Sequence, residues 1–206
     1  MDNPLRTAAY LERMASRRDE LAAKLAALLP ATTPAAAKFV WEVGCGHGHF
    51  LTAFAAAHPE RLCLGIDLAS ERIERATRKQ VRAKLANLHF LQADARLFLE
   101  TMPTTARIGE VFILFPDPWP KSRHHKHRIL QPDFLTEVAR RAVPGAPLHF
   151  RTDHAPYFAD AARTLAAHEA WTVTEEPWPF EVETVFQSRA EGYQSLVARC
   201  TGMRAS

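Results

Sequence analysis

Two short stretches of this chain hold residue types that chemistry uses, at spacings that chemistry needs. In WEVGCGHGHF an acid, Glu42, precedes Gly44, Gly46 and Gly48, just where a short apolar run gives way to a helical pattern. Glycine at such a turn permits positive φ and lets a ligand lie against bare backbone. A tight strand-to-helix turn by itself would be satisfied by one or two glycines. The dinucleotide fingerprint G-x-G-x-x-G requires glycine where His49 stands, and a carboxylate at Glu42 would repel a pyrophosphate, so a nicotinamide-dependent oxidoreductase fits poorly. An acid behind the loop suits a cationic ligand instead. S-adenosylmethionine carries an ammonium and a sulfonium, and no phosphate.

Two further acids fall at the next strand exits. Asp67 in LGIDLAS is placed to accept both hydroxyls of a ribose, and Asp94 in LQADA to accept from an adenine amino group. Singly, such acids read as helix caps or solvated turn residues. Three of them in consecutive exits, behind an E-x-G-x-G-x-G loop, make a constellation that selects S-adenosylmethionine.

The second stretch is FPDPWPKSRHHKHR, from Phe115 to Arg128. Pro116, Pro118 and Pro120 fix their own φ and predict extended backbone for the residues before them, giving a stiff turn that aims Asp117. Trp119 can offer a face to a base, but packing into the core beneath the turn is the expected arrangement. Lys121, Arg123, Lys126 and Arg128 follow with three histidines and no acid. Such a block predicts an anionic partner, and a phosphate backbone is the natural one. The histidines lack H-x-x-x-H spacing and have no cysteine or acid cluster beside them, so no metal site is expected.

These loops need a frame, and the remaining pattern supplies one. The 206 residues, 47% of them hydrophobic with a formal charge of +3, suit one globular core. Cys45, Cys63 and Cys200 are too few and too scattered for a disulfide framework or a thiolate zinc site. The charged N-terminus and the absence of about 20 consecutive apolar residues predict neither a leader nor a membrane span, and hence a cytoplasmic protein. Leu5 to Leu29 reads as a helix with Leu21, Leu25 and Leu28 on one stripe. Residues 1–37 are therefore taken as an N-terminal helix and loop, and 38–206 as a single domain. From Lys38 onward strands and helices alternate. Strands are expected at 39–43, 61–66, 88–91, 110–115, 147–151, 171–174 and 193–198, and a helix capped by Ser70 runs along an Arg/Lys-rich stretch. That alternation predicts an α/β fold with a doubly wound, mostly parallel seven-stranded sheet, which binds ligands at the carboxyl ends of its strands.

The segment P-D-P-W-P-K-S-R-H-H-K-H-R resembles the signature of the bacterial tRNA (guanine-N7-)-methyltransferases, and the likeness runs from Val40 to the C-terminus. The resemblance implies a Rossmann-like class I methyltransferase that forms 7-methylguanosine in the variable loop of tRNA. It implies Glu42, Asp67, Asp94 and Asp117 as cofactor acids beside Gly44, Gly46 and Gly48. It implies Lys121, Asp153, Thr184 and Gln187 as substrate contacts, to which the basic block adds Arg123. The family usually has Glu where Asp67 stands, and a T-x-x-E segment where this chain has Thr184 and Gln187. Gln187 keeps hydrogen-bonding capacity but loses the charge that would grip the amino edge of guanine. Guanine N7 already exposes a lone pair, so transfer needs alignment rather than a strong base. Asp117 is placed to hold the base and to meet its developing positive charge. Lys121, Arg123, Lys126 and Arg128 are expected to bind RNA backbone, with Arg151 and Asp153 facing the same pocket. The competing readings are a non-catalytic RNA-binding protein with the same fold and an enzyme that methylates exocyclic amines. The latter usually carries Asn/Asp-Pro-Pro-aromatic, which Asp-Pro-Trp-Pro matches poorly. Monomer and homodimer are both left open.

Overall fold

In the computed structural model, which describes residues 8–29, 38–182 and 192–202, alternating strands and helices build one sheet with both faces covered. Among the described residues its strands are β1 (Lys38–Val43), β2 (Leu62–Asp67), β3 (Leu88–Gln92), β4 (Arg107–Leu114), β5 (Pro147–Thr152), β6 (Trp171–Thr174) and β7 (Gln194–Cys200). They lie in the order β3-β2-β1-β4-β5-β7-β6. The first five are parallel, and β7 runs antiparallel between β5 and β6. β4 starts at Arg107 rather than at Glu110, because pairing with β1 continues through Lys38↔Arg107 and Phe39↔Ile108, beyond the end of the apolar run.

The helices are α1 (Ala8–Leu28), α2 (His49–Ala57), α3 (Ser70–Ala83), α4 (Ala95–Thr101), α5 (Pro132–Arg141) and α6 (Ala155–Ala166), with a 3₁₀ helix at Ser122–His127. β1, β2 and β5 are buried at every residue but the first, as expected of strands sandwiched between layers. On one face α1, α4, α5 and α6 pack around Phe39, Trp41, Phe134 and Phe150, with Trp41 stacked on Phe98 at 4.9 Å. On the other, α2 and α3 cover Val40, Cys63, Leu88 and Phe112. Beyond α2 that face is closed by Trp178, Phe180 and Val182 of the segment after β6. Phe180 meets Phe54 edge-on at 5.4 Å.

The buried stripe of α1 is Leu21, Leu25 and Leu29, with Leu28 half-buried beside it. Those leucines join the core of the first face, and Arg18 pairs with Glu100 of α4 at 2.5 Å. Ser70 does not cap α3. Ala69 is the cap residue and makes no side-chain bond; Asp67 Oδ1 accepts the Ala69 N–H instead, at 2.9 Å.

Candidate functional site

The strand order reverses between β1 and β4: the chain proceeds outward from β1 to β2 and β3 on one side, and from β4 to β5 on the other. At such a switch point the loops leaving the two central strands diverge and open a crevice. Here those loops are the glycine turn after β1 and the proline turn after β4.

The three glycines are not equivalent. Gly44, Gly46 and Gly48 all have positive φ, at 74°, 53° and 69°. A Cβ on Gly44 or Gly46 would meet nothing within 4 Å, so their backbone faces open space. A Cβ on Gly48 would collide with Phe90 at 2.6 Å and Ala76 at 2.8 Å, so that glycine lets α2 pack onto α3 and β3. Gly48 also caps α2 without a side chain to offer. Glu42, reaching up from β1, accepts the backbone N–H of Leu51 in the first turn of α2.

Glu42 is 3% exposed, and its Oε2 has no partner among the described residues. Burial, with Asp67's negative charge adding to it and the Leu51 N–H opposing, pushes the carboxyl up to about 8. A buried acceptor without a donor costs stability until a donor arrives. Asp67 is tied into the same loop: Oδ2 accepts the Gly46 N–H at 3.0 Å, and Arg72 approaches it at 3.5 Å. Asp94 is exposed; its Oδ1 caps α4 by accepting from Arg96 and Leu97 N–H at 2.9 and 3.2 Å. A left-handed loop open at two glycines, with an unsatisfied buried carboxyl and an acidic strand end, suits a ligand bringing an ammonium and hydroxyls. The donors of S-adenosylmethionine fit this set.

The proline turn departs from expectation in three ways. Phe115 and Trp119, both before prolines, have φ of 48° and 44° rather than extended backbone. Positive φ at bulky residues is strained and persists only when neighbours enforce it. The Phe115 N–H donates to the Arg151 carbonyl at 2.7 Å. Trp119, expected in the core, is 37% exposed. Its ring lies 5.1 Å from His127 and 5.8 Å from His124, because the following residues coil into the 3₁₀ helix and bring the histidines back over it. Arg128, expected on RNA, is 3% exposed. It folds beneath the turn: Nε donates to the Pro118 carbonyl at 2.8 Å, the guanidinium lies 4.8 Å from the Tyr157 ring centre, and Nη1 pairs with Asp160. The last residue of the basic block is thus a strut for the first part of the motif. Asp117 itself is exposed at the apex, close enough for its charge to help raise the Tyr157 hydroxyl, which burial pushes up to about 12. Lys121, Arg123 and Lys126 are exposed.

Arg151 is 4% exposed and also engaged. Its guanidinium binds both oxygens of Glu181 at 2.9 and 3.0 Å, donates from Nε to Ser195 Oγ at 2.8 Å, and lies 3.9 and 4.5 Å from the rings of Trp178 and Tyr193. Its guanidinium therefore holds chain on both sides of residues 183–191, whereas the sequence predicts it facing the pocket. Asp153, one loop position on, is exposed. Thr184 and Gln187 lie outside the described residues. Sequence reasoning missed Arg151's clamp, Tyr157 and Asp160; nothing in their spacing announces those contacts. Among the described residues no group of three or more His, Cys, Asp or Glu is arranged to hold a metal ion, and no helix is long and apolar enough to cross a membrane.

Comparison with known proteins agrees with this geometry. A family profile described as "Putative methyltransferase" matches residues 36–195. The tRNA (guanine-N(7)-)-methyltransferase of Nitrosomonas europaea is 35% identical over 135 residues, 66% of this chain and 60% of that protein. The protein of the same name from Nocardia farcinica is 40% identical over 131 residues, 64% of this chain and 49% of that one. The chain thus spans between about half and three-fifths of the length of these relatives. Among solved structures, a variant of the 16S rRNA (adenine(1408)-N(1))-methyltransferase from Catenulisporales acidiphilia, determined with its cosubstrate SAM, superposes with a TM-score of 0.57 at 23% identity, over 92% of this chain and 93% of that one. The aminoglycoside resistance methyltransferase NpmB1 gives 0.56 at 17% identity, over 89% and 93%.

Proposed function

The chain belongs to this methyltransferase family, and from that premise we propose that it forms 7-methylguanosine in tRNA, using S-adenosylmethionine. The observation that carries the reading is the pairing of two loops across the switch point. One holds an unsatisfied buried acid behind open glycines. The other holds Asp117 on a braced proline turn with exposed cations directly behind it. The names of relatives matched at 35–40% identity support the base and the RNA.

When bound, S-adenosylmethionine supplies a methyl group on a positively charged sulfur. Glu42 and the bare backbone at Gly44 and Gly46 would hold its amino-acid end, Asp67 its ribose and Asp94 its adenine edge, while Gly48 keeps the loop packed. Asp117 orients the guanine and lies where positive charge accumulates on the purine as the N7 lone pair is used. No residue need remove a proton before transfer, because N7 carries none. Orientation supplies most of the rate, and effective molarities of about 10⁵ M are available from it. That is why the turn is braced from beneath by Arg128 and from behind by Arg151. Lys121 and Arg123 bind the adjoining backbone, Asp153 approaches the base from the β5 exit, and Thr184 and Gln187 complete the base contacts. Such a protein works in the cytoplasm, where tRNA is matured.

The test is incubation of the full chain with methyl-labelled S-adenosylmethionine and an unmodified tRNA transcript, followed by nucleoside mass analysis. Label in 7-methylguanosine is the expected result. Label on an exocyclic amine, or cofactor-free binding of RNA with no transfer, would replace this reading by one of its competitors.

A further inference from the structure

Helix α3 carries Arg75, Arg78, Lys79 and Arg82. Spacings of three, four and seven place all four on one face. Together with His47 and His49, from the glycine turn and the start of α2, they line an open cavity of about 320 Å³. No carboxylate lines it. Among the described residues none of these four cations takes part in an ion pair within 4 Å. Glu71 and Glu74 precede Arg75 and Arg78 by four residues, the order that favours pairing on a helix, yet neither pair forms. Arg72 is different, for it reaches Asp67. Lys79 is held by the glycine turn rather than by an acid: Nζ donates to the His47 carbonyl at 2.7 Å and lies 2.7 Å from His49 Nε2.

A solvated helix face ordinarily mixes signs, and four like charges over about 10 Å of axis repel one another. The repulsion is felt locally. Burial first, then the neighbouring cations, hold His47 and His49 below the ordinary histidine value, and burial with Arg75 lowers Lys79. The chain as a whole is only +3, so this concentration is local. An anion in the cavity would relieve it. The cavity borders the glycine turn on its β2 side, whereas the basic 3₁₀ helix follows the β4 side. A polyanion whose base reaches the crevice between them has backbone to lay over both.

We propose that this cavity is a second phosphate-binding surface, taking sugar-phosphate backbone of the RNA substrate on the α3 side of the crevice. The inference rests on the reading that RNA is the substrate, and its test separates the two. In the full chain, Arg75→Gln, Arg78→Gln and Arg82→Gln are combined; glutamine keeps helix propensity close to that of arginine. A matching triple change to lysine keeps the charge. The affinity for unmodified tRNA is measured across a salt series, alongside steady-state methylation. The glutamine variant is expected to lower the salt slope by about 2, the loss of two to three phosphate contacts. It should also raise KM for tRNA about tenfold, with turnover at saturating RNA and cofactor affinity unchanged. The lysine variant should retain the wild-type slope. If wild-type protein methylates tRNA and the folded glutamine variant matches it in slope and KM, the surface is not an RNA contact and the proposal fails. Loss of inorganic-phosphate binding with tRNA binding intact would assign the cavity to a small anion and overturn it equally. Wild-type protein that neither binds nor methylates tRNA would instead overturn the underlying function.

Discussion

A carboxyl held at about 8 by burial is mostly protonated at neutral pH, and a cation brought against it draws the proton off. Glu42 is in that position, with one oxygen unsatisfied. Its folded value lies above the ordinary 4.5, so the folded state keeps a proton that the unfolded chain releases. That contribution to stability is fully present below about 4.5 and is lost as pH rises through about 8. Ligand-free protein should therefore lose melting temperature across this window, and Glu42→Gln should flatten the loss. Binding of S-adenosylmethionine should run the other way and release a proton near pH 7. Calorimetry in two buffers of different ionisation enthalpy measures this directly. Equal proton release from Glu42→Gln would remove Glu42 from the cationic subsite. Asp117 is tested by turnover: Asp117→Ala should lower methylation at least ~100-fold, the scale of losing one transition-state contact, with cofactor binding still measurable. A variant that keeps wild-type turnover would take Asp117 out of the mechanism.

At the scale of elements, two arginines turn loops into fixed parts. Arg128 closes the 3₁₀ helix back onto the Pro118 carbonyl, so the strained backbone at Phe115 and Trp119 is held by contacts outside the turn. Arg151 ties Glu181, Trp178, Tyr193 and Ser195 to β5, and its own carbonyl receives Phe115. The residue that steadies the proline turn thus also holds Trp178 and Glu181 on one side, and Tyr193 and Ser195 on the other, of the stretch that carries Thr184 and Gln187. Arg151→Met keeps the aliphatic bulk but loses the donors. It should cost roughly 1–3 kcal/mol in urea unfolding, since Glu181 is partly solvated and the stacking on Trp178 is not. The diagnostic readout is kinetic: KM for tRNA should rise more than the cofactor Kd, with Arg151→Lys recovering part of the loss. A stability change with both constants unaltered would make the clamp merely structural.

For the whole molecule, α1 belongs to the packed body rather than to its surface. Leu25 is fully buried among residues of the same cluster as Trp41 and Phe98. Leu25→Ala should cost about 2–5 kcal/mol, the sum of lost transfer energy and the cavity left behind, and be read as a lower denaturation midpoint. An unfolding free energy within about 0.5 kcal/mol of wild type would mean that α1 docks only loosely. The core also underlies the crevice: β1 and β4, whose exits form it, lie in the middle of a sheet covered on both faces, and part of one face is closed by Trp178 and Phe180 instead of a helix.

What the residue order settled alone was the sequence of elements and the chemistry available at each strand exit. Periodicity of two or near four is local, positive φ demands glycine at Gly44 and Gly46, and an acid or a proline keeps its character wherever the chain goes. Tertiary structure decided how those groups are used. Arg128 read as an RNA-backbone contact and Arg151 as a pocket-facing residue because charge is written in the residue, whereas burial depends on Tyr157, Asp160, Trp178 and Glu181, roughly thirty positions away. Trp119 read as core for the converse reason: its size is local, but its ring packs against His124 and His127 of a helical turn no pattern announced, and not against the core. Glu42's proton, and the unrelieved charge along α3, likewise come from packing, which sets how much water each group loses and which neighbours answer it.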